Sequence, residues 1–288
     1  MQPPLYSDDE LYVCLIRMGN EVMGVVPLSI NGTMASFVGC ADVCDYLDFA
    51  VESGHEKEFY SALLDNLEER HITELDLRCL RPESTVLSHL AAIVQERGGV
   101  CSIERDGVSL EMDLPGDWNE YLNMLNGQQR HEIRRKLRRL SEKADVRFVI
   151  MENPVEITDQ LDCFLKMFRE SRTDKAAFMT PQMESFFRLM IRAMSEEGII
   201  KLFLLKLNDS PAATVLCFDY YGTMYLYISG YDPRYGSLSV GLLCKILSIE
   251  HSIKLGRKKY DFLKGTEPYK YRLGGKEVPL SRCRITLK

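Results

Sequence analysis

Three stretches of this 288-residue chain carry side chains whose types and spacing could do chemistry. The first is TMYLYISGYDPRYGSLSVG, residues 223–241. Strand alternation there sets Tyr225, Tyr227, Ser229 and Tyr231 on one face and Met224, Leu226 and Ile228 on the other. A row of hydroxyls can pass protons; the structural alternative is half-buried packing, the usual place of aromatic residues in strands. Gly230 fits a bulge or the close approach of a ligand. Asp232, Arg234, Tyr235, Gly236, Ser237, Ser239 and Gly241 then lead into a helix expected from about Ser239. Amides at a helix start, with the helix dipole behind them, attract phosphate, although Ser239 as a plain N-cap explains much of the same loop.

The second stretch, KKYDFLKGTEPYKYRLG (258–274), offers Asp261 and Glu267 as proton-exchanging carboxylates. Lys264, Lys270 and Arg272 could hold a phosphate or a substrate carboxylate there; surface or structural pairing is the competing use of each. The third is QQRHEIRRKLRRL (128–140), where six of the ten residues 130–139 are Arg or Lys. On a helix, Ile133, Leu137 and Leu140 form an apolar stripe, flanked by Arg130, Arg134 and Arg138. Glu132 is the only acid between Gln128 and Ser141, so pairs within the helix leave most of this charge uncompensated and an anion elsewhere is expected.

The whole chain, by contrast, has a net charge of -6, which argues against generic nucleic-acid binding while permitting a local cationic surface. The nine cysteines contain no CxxC and the five histidines are isolated, so no metal site is expected and the thiols read as reduced. Neither a run of ~20 apolar residues nor a basic and apolar N-terminal leader is present. Together these features predict a cytoplasmic protein without a membrane span.

The scaffold begins with strands LYVCLIRM, VMGVVPLSI and MASFVG, the last two joined at Asn31–Gly32. A helix (HEKEFYSALLDNLEER), a strand (ELDLRC) and a second helix, from near Pro82 to about Arg97, follow. VCSIER and VSLEMDL are predicted to form a hairpin around Asp106–Gly107, and Pro115–Gly116 is a break. After DWNEYLNML and the basic helix comes a strand, VRFVIMEN, then the helices PVEITDQLDCFLKMFRESR and PQMESFFRLMIRAMSEEG. Strands IIKLFLLKL, AATVLCFDYY and TMYLYISGYD precede the helix SVGLLCKILSIEHSIKLG, the strand KKYDFL and a last strand from about Val278. The β-α-α-β-β-β-α-β order of this second run predicts an α/β sandwich on a mixed sheet. Expected boundaries are an N-terminal module at 1–115, connecting helices at 116–144 and a C-terminal module at 145–288.

That element order resembles the GNAT acyltransferase fold. DFLKG followed by EPYKYR resembles a signature of the cellulose-biosynthesis-associated (CelD-like) acetyltransferases, a group related to the Fem aminoacyltransferases that build peptidoglycan cross-bridges. RHEIRRKLRRL preceded by DWNEYL is similar to that group's mid-chain element, and ADVCDYLDF to its N-terminal segment. The resemblance implies an α/β protein of two tandem GNAT-like modules, each a mixed, mostly antiparallel sheet flanked by helices. The N-terminal module lacks a recognisable phosphate loop and reads as degenerate.

Acyl transfer to an amine requires a neutral amine, a stabilised oxyanion and a proton for the leaving group. In the GNAT fold a backbone N–H on the fourth strand, where it splays from the fifth, serves the oxyanion; by resemblance those strands are TMYLYISGYD and KKYDFL. The catalytic candidates are then Tyr227, Tyr231, Asp232, Asp261 and Glu267. Arg234, Tyr235, Gly236, Ser237, Ser239 and Gly241 are the candidates for the coenzyme A pyrophosphate. They replace a Gln/Arg-x-x-Gly-x-Gly/Ala loop in which Ser237 and Ser239 stand for the two glycines. Asp45, Tyr46, Arg130, Arg134, Lys264 and Lys270 are the candidates for the substrate side, and Cys40 or Cys44 is a remote choice of nucleophile.

The leading expectation is an N-acyltransferase using acetyl-CoA or another acyl-CoA on a small amine or amino sugar, in envelope or exopolysaccharide metabolism. The alternative is a Fem-like transferase drawing its acyl group from aminoacyl-tRNA, which the basic face suits but which lacks the long helical hairpin of that group. A non-catalytic tandem scaffold is the third reading.

Overall fold

The computed structural model describes residues 9–39 and 43–288. They divide into an N-terminal unit, running to Ser109 and completed by Val278–Lys288, and a C-terminal unit, Leu110–Glu277.

In the N-terminal unit, β1 (Glu10–Met18), β2 (Glu21–Asn31) and β3 (Met34–Phe37) are the antiparallel meander anticipated from Asn31–Gly32. The short β4 (Ala50–Val51) adds to β2, and α1 (Glu56–Glu69) leads into β5 (Glu74–Leu80), which lies parallel to β3. Helix α1 forms because its apolar residues recur at helical spacing: Phe59, Tyr60, Leu63, Leu64 and Leu67 are all buried in the core over the sheet. Each such side chain contributes about 1.5–3 kcal/mol of burial. A π-helical turn, Val86–Leu90, runs into α2 (Ala91–Glu96).

Two expectations are corrected here. The predicted hairpin around Asp106–Gly107 is one continuous strand, β6 (Val100–Asp113). Asp106 is engaged by the Cys79 amide at 3.0 Å instead of closing a turn. The last strand, β12 (Lys276–Thr286), pairs antiparallel with β5, so residues from Val278 onward complete the N-terminal unit and not the segment 145–288.

In the C-terminal unit, α3 (Trp118–Met124) and α4 (Gly127–Lys143) precede β7 (Val146–Met151), followed by α5 (Pro154–Ser171), α6 (Thr173–Phe178) and α7 (Pro181–Glu196). Strands β8 (Ile200–Leu207), β9 (Ser210–Tyr220) and β10 (Thr223–Tyr231) form an antiparallel run with β7 on its edge. A 3-10 turn (Pro233–Leu238), α8 (Val240–Lys254), β11 (Lys259–Lys264) and α9 (Pro268–Arg272) complete it, with β11 parallel to β10. β8 is apolar almost throughout because it is buried along nearly its whole length. Each unit is therefore a mixed, mostly antiparallel sheet flanked by helices. No described helix is long and apolar enough to cross a membrane.

Helix α5 packs on β10 at a contact that admits no side chain. A Cβ on Gly230 would stand 2.4 Å from the Phe168 amide nitrogen and 2.6 Å from the Met167 carbonyl carbon, both backbone atoms that cannot rotate away. Gly127, at the first position of α4, has open space around it. Gly230→Ala is expected to lower the unfolding midpoint by roughly 3–10 °C, and Gly127→Ala to leave it unchanged or slightly raised. Thermal denaturation of the two variants checks the contrast.

Candidate active site

The site begins where two strands part. β10 and β11 pair only from Thr223–Lys259 to Tyr225–Asp261, although both strands continue. Immediately beyond, β10 bulges against β9 between Leu226 and Ile228. The bulge also breaks the single face expected for the tyrosines. Tyr227 turns into an aromatic cluster, its ring centroid 4.8 Å from Phe218 and 5.9 Å from Phe187. Tyr231 lies against α8, where a Cβ on Gly241 would come within 3.1 Å of its ring. The hydroxyl row is thus divided, and Tyr231 alone stands beside the start of α8.

Beyond Tyr231 the loop is organised by Asp232, whose carboxylate accepts from the Arg234 amide at 2.9 Å and from its guanidinium at 2.6 and 2.9 Å. The hydrogen bonds from Arg234 hold Asp232 below the ordinary carboxylate range, so it remains ionised near neutral pH and is a poor proton donor. Arg234 shares a groove of about 630 Å³ with Cys163, Lys166, Glu170 and Pro233. Ser239 has a left-handed backbone, φ 59° and ψ 34°, and makes no side-chain cap. The simple N-cap reading therefore fails: the Ser239 hydroxyl accepts instead from Lys136 Nζ at 2.6 Å. Lys136 belongs to α4, which lies against both α8 and the 3-10 turn. Tyr235, Gly236 and Ser237 form the 3-10 turn itself.

The DFLKG stretch turns β11 away from β10. Leu263 has φ 61°, a strained value for a bulky residue, and Gly265 has φ 114°. Asp261 holds this bend, accepting from the Leu263 amide at 2.7 Å. Lys270 completes it from α9, its ammonium reaching the carbonyls of Lys264 (2.6 Å), Leu263 (3.2 Å) and Gly265 (3.4 Å) and the Glu267 carboxylate (3.0 Å).

Residues 127–271, half of the chain, match the family described as acetyltransferase (GNAT) domain. The chain belongs to that GNAT family. No curated protein sequence matches it. Among solved structures it is similar to the C-terminal domain of a putative lysylphosphatidylglycerol synthetase from Agrobacterium fabrum (TM-score 0.64, 10% identity, covering 96% of this chain and 84% of that one). FemX gives TM-score 0.62 at 13% identity, over 96% and 88% of the two chains. A conserved protein of unknown function from Bacteroides thetaiotaomicron gives 0.61 at 12% identity, over 92% and 83%. At these identities the likeness is one of fold.

Several expected site residues are placed differently by the geometry. Asp261 is 1% exposed and bound within the bend, so it does not face an open cleft. Lys270 is 2% exposed, and its four internal partners leave its ammonium no N–H for a phosphate. Glu267 faces Lys270, and Lys264 is half-buried beside it. Asp45 and Tyr46 belong to the N-terminal unit, where Arg81 lies over the Tyr46 ring at 4.8 Å. Cys40 lies outside the described residues, and Cys44 is a half-buried thiol. On α4, Glu132 answers Arg135 (2.9 Å) and Lys136 (3.3 Å). Arg130 is half-buried with its guanidinium 3.4 Å from Asn123, and Arg134 is exposed with no acid beside it among the described residues.

Two lysines that the sequence reading passed over stand at the parted strands. Lys175 of α6 donates to the Ser229 carbonyl (2.5 Å) beyond the bulge, with its Nζ 4.9 Å from the Phe168 ring centre. Lys245 of α8 reaches the Gly241 carbonyl (3.3 Å) and lies 4.9 Å over the Tyr269 ring. Both are half-buried. Desolvation, and for Lys175 the charge of Lys245, pushes each down to about 8. A lone lysine inside the apolar VGLLCKILSI was a visible signal for Lys245; TDKAAF gave none for Lys175.

Two predictions follow from this geometry. Lys270→Met should destabilise the chain by roughly 2–5 kcal/mol, because three strand-end carbonyls and a carboxylate lose their donor; urea denaturation measures it. Lys175 and Lys245 should titrate near pH 8 in lysine-selective NMR. Because their folded values lie below the ordinary lysine value, the unfolded chain binds more protons between about pH 8 and 10.5. Stability from this pair therefore rises with pH through that window and is lowest below it.

Proposed function

We propose that the C-terminal unit transfers an acyl group from acyl-CoA to an amine acceptor, in the manner of the CelD-like acetyltransferases its motifs resemble. The observation carrying this reading is the loss of β10–β11 pairing after Tyr225–Asp261, directly before a loop and helix start approached by Lys136. A gap between parallel strands frees backbone N–H groups of β10 to meet a developing oxyanion. A phosphorylated carrier is drawn to the start of α8 by the helix dipole and by Lys136. Coenzyme A, when bound, supplies the thioester that the amine attacks. The new C–N bond forms as the C–S bond breaks, the amine proton passes to a base and the thiolate takes a proton. Tyr231, half-buried beside Gly241, is the hydroxyl best placed to give that proton.

In this reading Glu267, with its side chain about half exposed, is the more accessible of the two carboxylates on the DFLKG segment. The N-terminal unit serves as a degenerate module without a donor loop. A small amine or amino sugar of envelope metabolism remains the acceptor suggested by the motifs.

One observation favours a second donor. Arg134 and Arg139 remain exposed on α4, which runs beside the same loop, so the cationic surface extends beyond what one pyrophosphate needs. Aminoacyl-tRNA, the donor that the motif resemblance to the Fem aminoacyltransferases implies, would use it.

Under the first reading, acetyl-CoA raises the unfolding midpoint at low salt and Lys136→Glu weakens its binding roughly tenfold or more. Arg134→Glu with Arg138→Glu should have a smaller effect on acetyl-CoA. Steeply salt-dependent binding of aminoacyl-tRNA, lost in that double variant, would select the second reading. If calorimetry detects neither donor, only a non-catalytic scaffold remains.

A further inference from the structure

Cys101 of β6 and Cys283 of β12 bring their sulfurs within 3.2 Å of one another. The two strands are neighbours in the sheet, and both cysteines belong to the N-terminal unit, Cys283 within its core and Cys101 packed against it. A disulfide needs its sulfurs at about 2.05 Å, so the pair has roughly 1 Å left to close. Cys283 is fully buried, whereas Cys101 is half-buried and flanked by the exposed Val100 and Ser102. Burial, and then the contact with Cys101, raises the Cys283 thiol above its ordinary range, so it stays protonated. The place of the pair in the chain matters as much as its geometry. The cysteines are 182 positions apart, and the whole C-terminal unit, Leu110–Glu277, lies between them. Strand β12, whose Cys283 and Ile285 stand opposite Leu77 and Leu75 of β5, therefore joins its sheet by closing a long loop, at a cost in chain entropy.

We propose that Cys101 and Cys283 are a modification site at which a hydroperoxide forms a reversible disulfide, stapling β12 to β6. Cys101, the more accessible thiol, is the point of entry. Its sulfur gives up a proton and attacks an oxygen of the peroxide. The S–O bond forms as the O–O bond breaks, and with hydrogen peroxide the other oxygen takes that proton and leaves as water. The Cys283 sulfur then attacks the sulfenic sulfur of Cys101. The S–S bond forms as the S–O bond breaks, and the hydroxyl leaves with the Cys283 proton as a second water. Two thiols have lost two electrons, and one hydrogen peroxide has become two waters. A dithiol reverses the bond by exchange. In the unfolded chain the bond removes much of the entropy of the long loop, so β12 is held more firmly in its sheet. None of this chemistry uses the acyl-transfer site.

The test treats the full chain with a small excess of hydrogen peroxide, blocks remaining thiols with N-ethylmaleimide and cleaves after glutamate. That cleavage releases Cys101 between Glu96 and Glu104, and Cys283 after Glu277. Mass spectrometry should find the two peptides joined, and dithiothreitol should separate them. Hydrogen exchange along β12 should slow by roughly tenfold or more on oxidation and recover on reduction. Cys163→Ser, at a half-buried thiol of the C-terminal unit, should leave both results intact. Cys101→Ser and Cys101→Ala should each abolish both, so the outcome does not depend on one variant folding. If the oxidised wild-type chain yields Cys101 and Cys283 as blocked free thiols, Cys101 as the sulfinic acid, or either cysteine joined to a different thiol, the pairing is overturned. A Cys101–Cys283 link that leaves exchange along β12 unchanged overturns the staple.

Discussion

The parting of β10 from β11 after the Tyr225–Asp261 pair is the constraint on which the rest of the C-terminal unit depends. Adjacent parallel strands ordinarily satisfy one another's amides and carbonyls, and leaving them unpaired inside a protein is unfavourable. The chain resolves this locally on both sides. On β11, Asp261 takes the Leu263 amide, while Lys270 takes the last carbonyls. On β10, the bulge moves the strand's direction and Lys175 answers the Ser229 carbonyl. The gap is therefore a built feature, held open in part by Asp261, first read as a catalytic carboxylate, and by Lys270, first read as a substrate ligand.

This changes how the charged residues of the DFLKG segment are understood. Asp261 and Lys270 are almost fully buried, and buried ionic groups persist only with near-complete sets of partners. Asp261 anchors a bend whose left-handed Leu263 would otherwise straighten, and Lys270 neutralises oxygen atoms that a continuing strand would have paired. Their influence on any reaction runs through the shape of the gap. Lys175 and Lys245 differ: among the described residues each contacts a carbonyl and a ring face and no carboxylate.

Much of the scaffold was legible because periodicity reports burial. The α1 stripe Phe59, Leu63, Leu67 and the unbroken apolar run of β8 could hardly have folded otherwise. Asp106–Gly107 misled because a turn-prone dipeptide is only a local preference, overridden when the Cys79 amide bound the aspartate and a strand partner was present. The tyrosine face was misread for a related reason: one extra residue at Tyr227 reverses every side chain after it, and strand alternation alone cannot reveal a bulge. At the site, Lys136 was visible as part of a helix with too few acids. Lys175 was not, since its importance comes from a β10 carbonyl 54 positions away in sequence.

The departure of the loop from a glycine-rich pattern also has a physical account. Ser239 occupies φ 59°, a region that glycine enters freely and serine only at some cost. What a glycine there could not supply is an acceptor for Lys136, and that hydroxyl is the link between α8 and the basic helix. Lys136 is simultaneously held by Glu132, which its cationic neighbours push down to about 2, so the ammonium is positioned by a carboxylate that stays ionised. Replacing glycine by serine thus exchanges backbone freedom for a fixed positive charge at the helix start. In a chain with a net charge of -6, such local placement matters more than overall composition for attracting an anionic carrier.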